Sequence, residues 1–168
     1  MSTSAGCGAC TARLLRVSLE GEALTRLTPL LEADRAQAVN DLEAENRFAP
    51  RARPGIDDAG PYALRLTIYE GRLVFDIRRA DDTPWLAIAL ALGPFRSLIR
   101  DYYMLLDSYA AAVAEGREAR IQAIDMGRRG LHNEGAQLML ARLDGKVDID
   151  FATARRLFTL LCVLHQRI

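Results

Sequence analysis

From Tyr62 to Leu92 the chain repeats with a period of two over three consecutive runs, and that pattern leaves little choice of local structure. Tyr62, Leu64, Leu66 and Ile68 are separated by smaller or polar residues, Glu70-Gly71 offers a tight turn, and Leu73, Phe75 and Ile77 resume the alternation. Asp81-Asp82-Thr83-Pro84 marks a second turn, after which Leu86, Ile88, Leu90 and Leu92 alternate with alanines. Three such strands predict an antiparallel meander with one apolar face for the rest of the chain to cover.

The remaining sequence supplies that cover. Thr28-Pro29 provides a capping residue and a preset first helical position, and Leu30, Leu31, Ala38, Val39 and Leu42 then recur at helical spacing to near Asn46. Phe95, Leu98, Ile99, Tyr102, Leu105, Leu106 and Tyr109 trace a second helical stripe toward Ala114. A third helical segment spans Arg117 to Leu143. Asp150 can cap a fourth, in which Phe151, Ala154, Leu157, Phe158, Leu161, Cys162 and Leu164 point largely inward. Upstream, Leu14, Leu15, Val17 and Leu19 before Glu20-Gly21 read as a first strand, and Phe48 to Pro61, with three prolines and two glycines, reads as a surface loop. The expected fold is α+β: an antiparallel sheet of three to four strands with about four helices packed on one face. Residues 12–168 form a single domain behind a disordered tail of residues 1–11.

Composition narrows the function classes. Lys+Arg and Asp+Glu both number 22, so no global field draws the molecule to nucleic acid or an anionic membrane, and nucleic-acid binding is not the expected role. The region from Arg117 to Ile168 holds only a small basic excess, nine Lys/Arg against six Asp/Glu, without interleaved aromatics. The longest apolar run, Trp85 to Leu92, is far short of the ~18 residues that cross a bilayer. The first ten residues lack the basic start and apolar centre of a secretory signal, which predicts a cytoplasmic protein. Cys7 and Cys10 form a C-x-x-C pair, but a structural zinc site needs four ligands, and Cys162 falls in an apolar helical pattern. With only His132 and His165 available and no paired acidic motif, no metal site is expected, and no cofactor signature is present.

The stretch from Asp125 to Gly135 is the most unusual in the chain. It holds three glycines, and each interior helical glycine costs about 0.8 to 1 kcal/mol relative to alanine. If the helix is continuous, Ile121, Ile124, Leu131, Leu138 and Met139 share one face and Arg128 falls inside it, between Asp125 and His132. Gly127 and Gly135 then flank the stripe, where a neighbouring backbone or a ligand could come close. Alternatively, Gly130 ends one helix and Asn133 caps the next. On a structural reading, Asp125 pairs with Arg128 or Arg129 and His132 bonds a carbonyl. On a functional reading, Arg128, Arg129 and Asn133 hold an anionic group, while His132 moves a proton with Asp125 or Glu134 as its orienter. A second cluster, Asp101, Tyr102, Tyr103, Asp107 and Tyr109, reads as core or interface. No H-E-x-x-H, phosphate-binding P-loop or G-x-S-x-G motif occurs.

The segments GPYALRLTIYEGRLVFDIR, FRSLIRDYYMLLDSY, IQAIDMGRRGLHNEG and DFATARRLFTLLCVLH resemble an uncharacterised protein family of alphaproteobacteria. The resemblance runs from about Arg13 to the end, is most specific from Ile124 to Gly135, and leaves the Cys7/Cys10 pair outside. It implies a bacterial, cytoplasmic protein and carries over no functional residue. The preferred expectation is a non-catalytic interaction module that holds a protein partner or itself. The alternative is a small enzyme or binding protein for a phosphate- or carboxylate-bearing molecule at Arg128, Arg129 and His132, and the third is a weak nucleic-acid binder.

Overall fold

The computed structural model describes residues 11–51 and 60–165. Among these residues six strands and four α-helices follow in the order β1 (Leu14–Glu20), α1 (Pro29–Ala44), β2 (Phe48–Pro50), β3 (Tyr62–Tyr69), β4 (Arg72–Arg79), β5 (Pro84–Ala91), α2 (Arg96–Glu115), α3 (Glu118–Leu143), β6 (Val147–Ile149) and α4 (Phe151–Leu164). Short 3-10 turns precede α1 and α2. The Cys7/Cys10 pair and the expected tail, apart from Thr11, lie outside the described residues.

The meander forms as the alternation predicts. Leu64, Leu66, Leu73, Phe75, Ile77, Ile88 and Leu90 are all buried on one face, and β3, β4 and β5 pair antiparallel. Its first turn places Glu70 at φ 49° and Gly71 at φ 73°, the doubly left-handed geometry of a two-residue hairpin that follows the strands' own twist. In the second turn Asp81 accepts hydrogen bonds from the backbone N–H of Thr83 at 3.0 Å and from its hydroxyl at 2.7 Å.

Two expectations need correction. The sheet is mixed rather than antiparallel: β1 lies at the edge of the order β1-β3-β4-β5 and runs parallel to β3. The cause is the crossover. β1 is followed by α1, and a strand that returns through a helix comes back in the same direction. The second correction concerns the start of the supposed loop, since Phe48–Pro50 form β2 and pair antiparallel with β6, Phe48 opposite Ile149. The Arg47 backbone N–H adds a bond to the Thr153 hydroxyl at 3.1 Å, so this small sheet anchors the start of α4 beside the end of α1.

The outer edge of β1 is covered by side chains. The Asn46 carboxamide accepts from the Leu14 N–H at 2.7 Å and donates to the carbonyls of Leu14 at 2.9 Å and Leu42 at 2.7 Å, while Glu43 accepts from the Val17 N–H at 3.1 Å. These bonds occupy an edge that would otherwise offer itself to another strand. They also show why α1 stops at Ala44, two residues short of the expected end: the Asn46 side chain takes the carbonyl that a further helical turn would use.

α4 is the central helix. Asp150 caps it, accepting from the Thr153 N–H at 2.9 Å, and every residue from Leu157 to Leu164 except Thr159 is buried. It packs against α1, α3 and β1, and α2 packs on α3. Phe151, expected inside, is 41% exposed because it begins the helix ahead of the buried stripe.

Candidate functional site

α3 is one continuous helix of 26 residues, so the alternative break at Gly130 does not form. Ile124, Leu131 and Met139 are buried and Ile121 and Leu138 are half-buried, the stripe that continuity predicts. The three glycines meet different surroundings. A Cβ at Gly135 would run into the ring of Phe158 on α4, so this glycine admits an aromatic side chain rather than a backbone or a ligand. A Cβ at Gly127 would meet Leu105 at an ordinary 3.6 Å, and one at Gly130 would meet nothing within 4 Å.

Arg128 is on the inward stripe, and its principal partner is a residue the sequence reading missed. Asp34 on α1 accepts from the Arg128 guanidinium at 3.2 Å through both carboxylate oxygens and from the Tyr102 hydroxyl at 2.6 Å. The Arg128 and Asp34 side chains are only 23% and 19% exposed. Asp125 stands farther off, 3.9 Å from Arg128 and 48% exposed. The Arg128 guanidinium also lies 5.7 Å from the centre of the Tyr109 ring. A signal for Asp34 does exist in the sequence: it falls three residues after Leu31 and four before Ala38, on the inward stripe of α1. Opposite charges on two inward stripes must meet or go unpaired.

His132 completes this cluster. Its Nδ1 is 3.1 Å from the Thr159 hydroxyl, which is itself 3.1 Å from the Arg155 carbonyl, and the rings of Tyr102 and Phe158 stand edge-on to it at 5.9 Å. Burial, then the positive charges of Arg128 and Arg155, lower its pKa from 6.5 to about 4. The imidazole is therefore neutral near pH 7. Burial and the neighbouring Asp34 carboxylate raise the Tyr102 pKa, keeping the phenol protonated as a donor. Around these groups opens a polar cleft of about 240 Å³ between α1, α3 and α4, lined by Asp34, Gln37, Asp41, Arg128, His132, Arg155, Arg156 and Thr159.

Of the residues singled out by sequence, the cleft brings together Arg128 and His132. Arg129 and Asn133 are exposed outside it, and Glu134 lines a separate hollow of about 400 Å³ between α2 and α3, with Asp101, Met104, Gly127 and Gly130. Arg155 and Arg156 were not anticipated, because the α4 pattern reads as core and gives no sign that its polar residues face α1 and α3. Tyr102 and Tyr103 hold scaffold positions, the Tyr103 hydroxyl lying 2.7 Å from the carbonyls of both Cys162 and His165. A larger, mostly apolar cavity of about 590 Å³ between the start of α1 and α2 is lined by Tyr103 and Asp107 of the second cluster and by no residue of Asp125–Gly135. Among the described residues no group of three His, Cys, Asp or Glu could hold a metal ion, and no helix is long and apolar enough to cross a membrane.

Comparison with known proteins gives a consistent set of relatives. A family model described as "Uncharacterised protein family (UPF0262)" matches residues 11–167. The chain is 70% identical to a UPF0262 protein of Granulibacter bethesdensis over 164 residues, covering 95% of this chain and 93% of that one. It is 63% identical to a UPF0262 protein of Acidiphilium cryptum over 92% of this chain and 93% of the relative, and 48% identical to one of Paramagnetospirillum magneticum over 92% and 96%. No solved structure matches.

Proposed function

We propose that this chain, which belongs to the UPF0262 family of unknown function, is a non-catalytic interaction module that self-associates through the outer face of α2 and α3. One observation carries the reading: Gly127 and Gly130 are glycines that the fold of the single chain does not need. Each costs about 0.8 to 1 kcal/mol in a helix interior. Gly135 is required by Phe158, whereas a Cβ at Gly130 would enter open space and one at Gly127 would make only an ordinary contact. A close-packed neighbour would need both positions bare.

The surrounding surface supports a second copy as that neighbour. Met104, 58% exposed, lines the hollow that Gly127 and Gly130 leave; Met126, 72% exposed, lies one helical turn before Gly130, and Ala119 and Ala123 continue the exposed small-residue face. One surface thus carries both a flexible apolar knob and a hollow, which a two-fold contact pairs reciprocally. A cytoplasmic setting belongs to the same proposal, in keeping with Cys162 as a free thiol in the core.

Light scattering of the full chain over a dilution series tests the idea. The expected result is a dimer whose dissociation constant rises at least tenfold in Gly130→Ala, while the dissociated variant resists urea slightly better than wild type. A strict monomer at cellular concentration, or a Gly130→Ala protein that dimerises as before, overturns the proposal.

A further inference from the structure

The cleft between α1, α3 and α4 holds more positive charge than its ion pairs use. Arg128 is matched by Asp34, and Arg156 by Asp41 at 3.8 Å, where Gln37 also donates to the carboxylate at 3.0 Å. Arg155 has no such match. Among the described residues no carboxylate pairs with it, and its buried Nε has no hydrogen-bond partner. A guanidinium N–H withdrawn from water and left unpaired is costly, and a fold tolerates it most readily where something else supplies the acceptor. His132 beside it is neutral, offering a hydrogen bond without adding charge. Of the three arginines that line the cleft, Arg155 is the one with no carboxylate beside it among the described residues, Arg128 having Asp34 and, at 3.9 Å, Asp125, and Arg156 having Asp41.

We infer that this cleft is a binding site for a small monocarboxylate, gripped by the Arg155 guanidinium with Gln37, Thr159 and His132 as neutral hydrogen-bonding groups. A planar carboxylate fits the planar fork of arginine in two parallel hydrogen bonds, and its single negative charge matches the one guanidinium of the lining that has no carboxylate partner among the described residues. A phosphate dianion would place a second negative charge against Asp34 and Asp41, which already line the walls. The volume of about 240 Å³ lies below the range of about 300 to 1,000 Å³ typical of pockets for drug-sized ligands. That size suits an acid of a few heavy atoms, and the neutral groups favour one bearing a hydroxyl. The cleft lies on the far side of α3 from Gly127 and Gly130, so the inference does not rest on self-association.

The test is an NMR titration of the full chain, following the ring resonances of His132 as glycolate, acetate, inorganic phosphate or chloride is added at matched ionic strength. A saturable shift with glycolate and acetate, weaker with phosphate and absent with chloride, is expected. Arg155→Gln should weaken glycolate at least tenfold. Arg155→Lys, which keeps the charge and loses the fork, should fall between, and Arg129→Gln, outside the cleft, should bind as wild type does. Should Arg155→Gln fail to fold, the comparison of Arg155→Lys with wild type carries the test. The site is refuted by an absent or non-saturable shift, by an equal response to chloride, or by arginine variants that bind unchanged. Phosphate binding tighter than either acid overturns the carboxylate assignment.

Discussion

Gly130 and Gly135, five positions apart on α3, make opposite predictions for the same substitution. At Gly135 a methyl group must displace the Phe158 ring, which is fully buried, so Gly135→Ala should destabilise the protein by about 1 to 3 kcal/mol through overpacking. At Gly130 the methyl group enters open space and removes a flexible residue from a helix, so Gly130→Ala should stabilise the single chain by up to about 1 kcal/mol. Urea midpoints measured at low protein concentration check both signs. His132 supplies a pH dependence at the same scale. Its folded pKa of about 4 lies below the ordinary 6.5, burial being the first cause and Arg128 and Arg155 the next. As pH falls through 6.5 the unfolded chain takes up a proton that the folded chain accepts only near 4, so the unfolded state binds more protons across that window. Stability is therefore full above about pH 6.5 and declines toward pH 4, by at most about 3 kcal/mol from this residue. Urea titrations at several pH values should show a smaller acid loss in His132→Gln than in wild type; parallel curves would contradict the assignment.

Between elements, Asp34 is the junction of three helices. From α1 it takes the Tyr102 hydroxyl of α2 and the Arg128 guanidinium of α3, both largely withdrawn from water. Asp34→Ala would leave both donors without their acceptor, and a loss of about 2 to 4 kcal/mol is expected in chemical denaturation. Breaking the Glu32–Arg35 pair on the solvent side of the same turn, where Glu32 is exposed, should change stability by less than about 1 kcal/mol, since solvent screens it and its distance is 3.8 Å. The two carboxylates sit on the same helix two residues apart, and burial together with the number and closeness of their partners separates their effects. Spacing along the chain revealed where Arg128 would face, but its partner is 94 residues away, and no local pattern reports a contact of that range.

For the molecule as a whole, α4 decides cooperativity. It contacts α1, α3 and β1, so helices and sheet share one core. Unfolding followed by Trp85, the single tryptophan, which stacks on Tyr62 in the sheet at 5.3 Å between ring centres, should coincide with unfolding followed by far-ultraviolet circular dichroism of the helices. Two separate midpoints would mean that the sheet and the helical layer melt apart. Family membership is shared with proteins up to 70% identical, so the same test in a relative should give the same result.

By itself, the sequence determined the elements whose signals are local. The period of two in Tyr62–Leu92 specified three strands and their apolar face, Thr28-Pro29 and Asp150 started two helices, and the stripe from Ile121 to Met139 put Arg128 on the inward face provided the helix ran unbroken past Gly130. Tertiary structure alone decided how those elements meet: the parallel return of β1 beside β3, the pairing of Phe48–Pro50 with β6, Asp34 as the partner of Arg128, and the arrival of Arg155 and Arg156 at the same cleft. The physical reason is range. Alternation and capping are written in the backbone hydrogen bonds and side-chain directions of a few neighbouring residues, whereas strand order and buried ion pairs are set by how apolar faces stack to exclude water, a property of the whole chain at once.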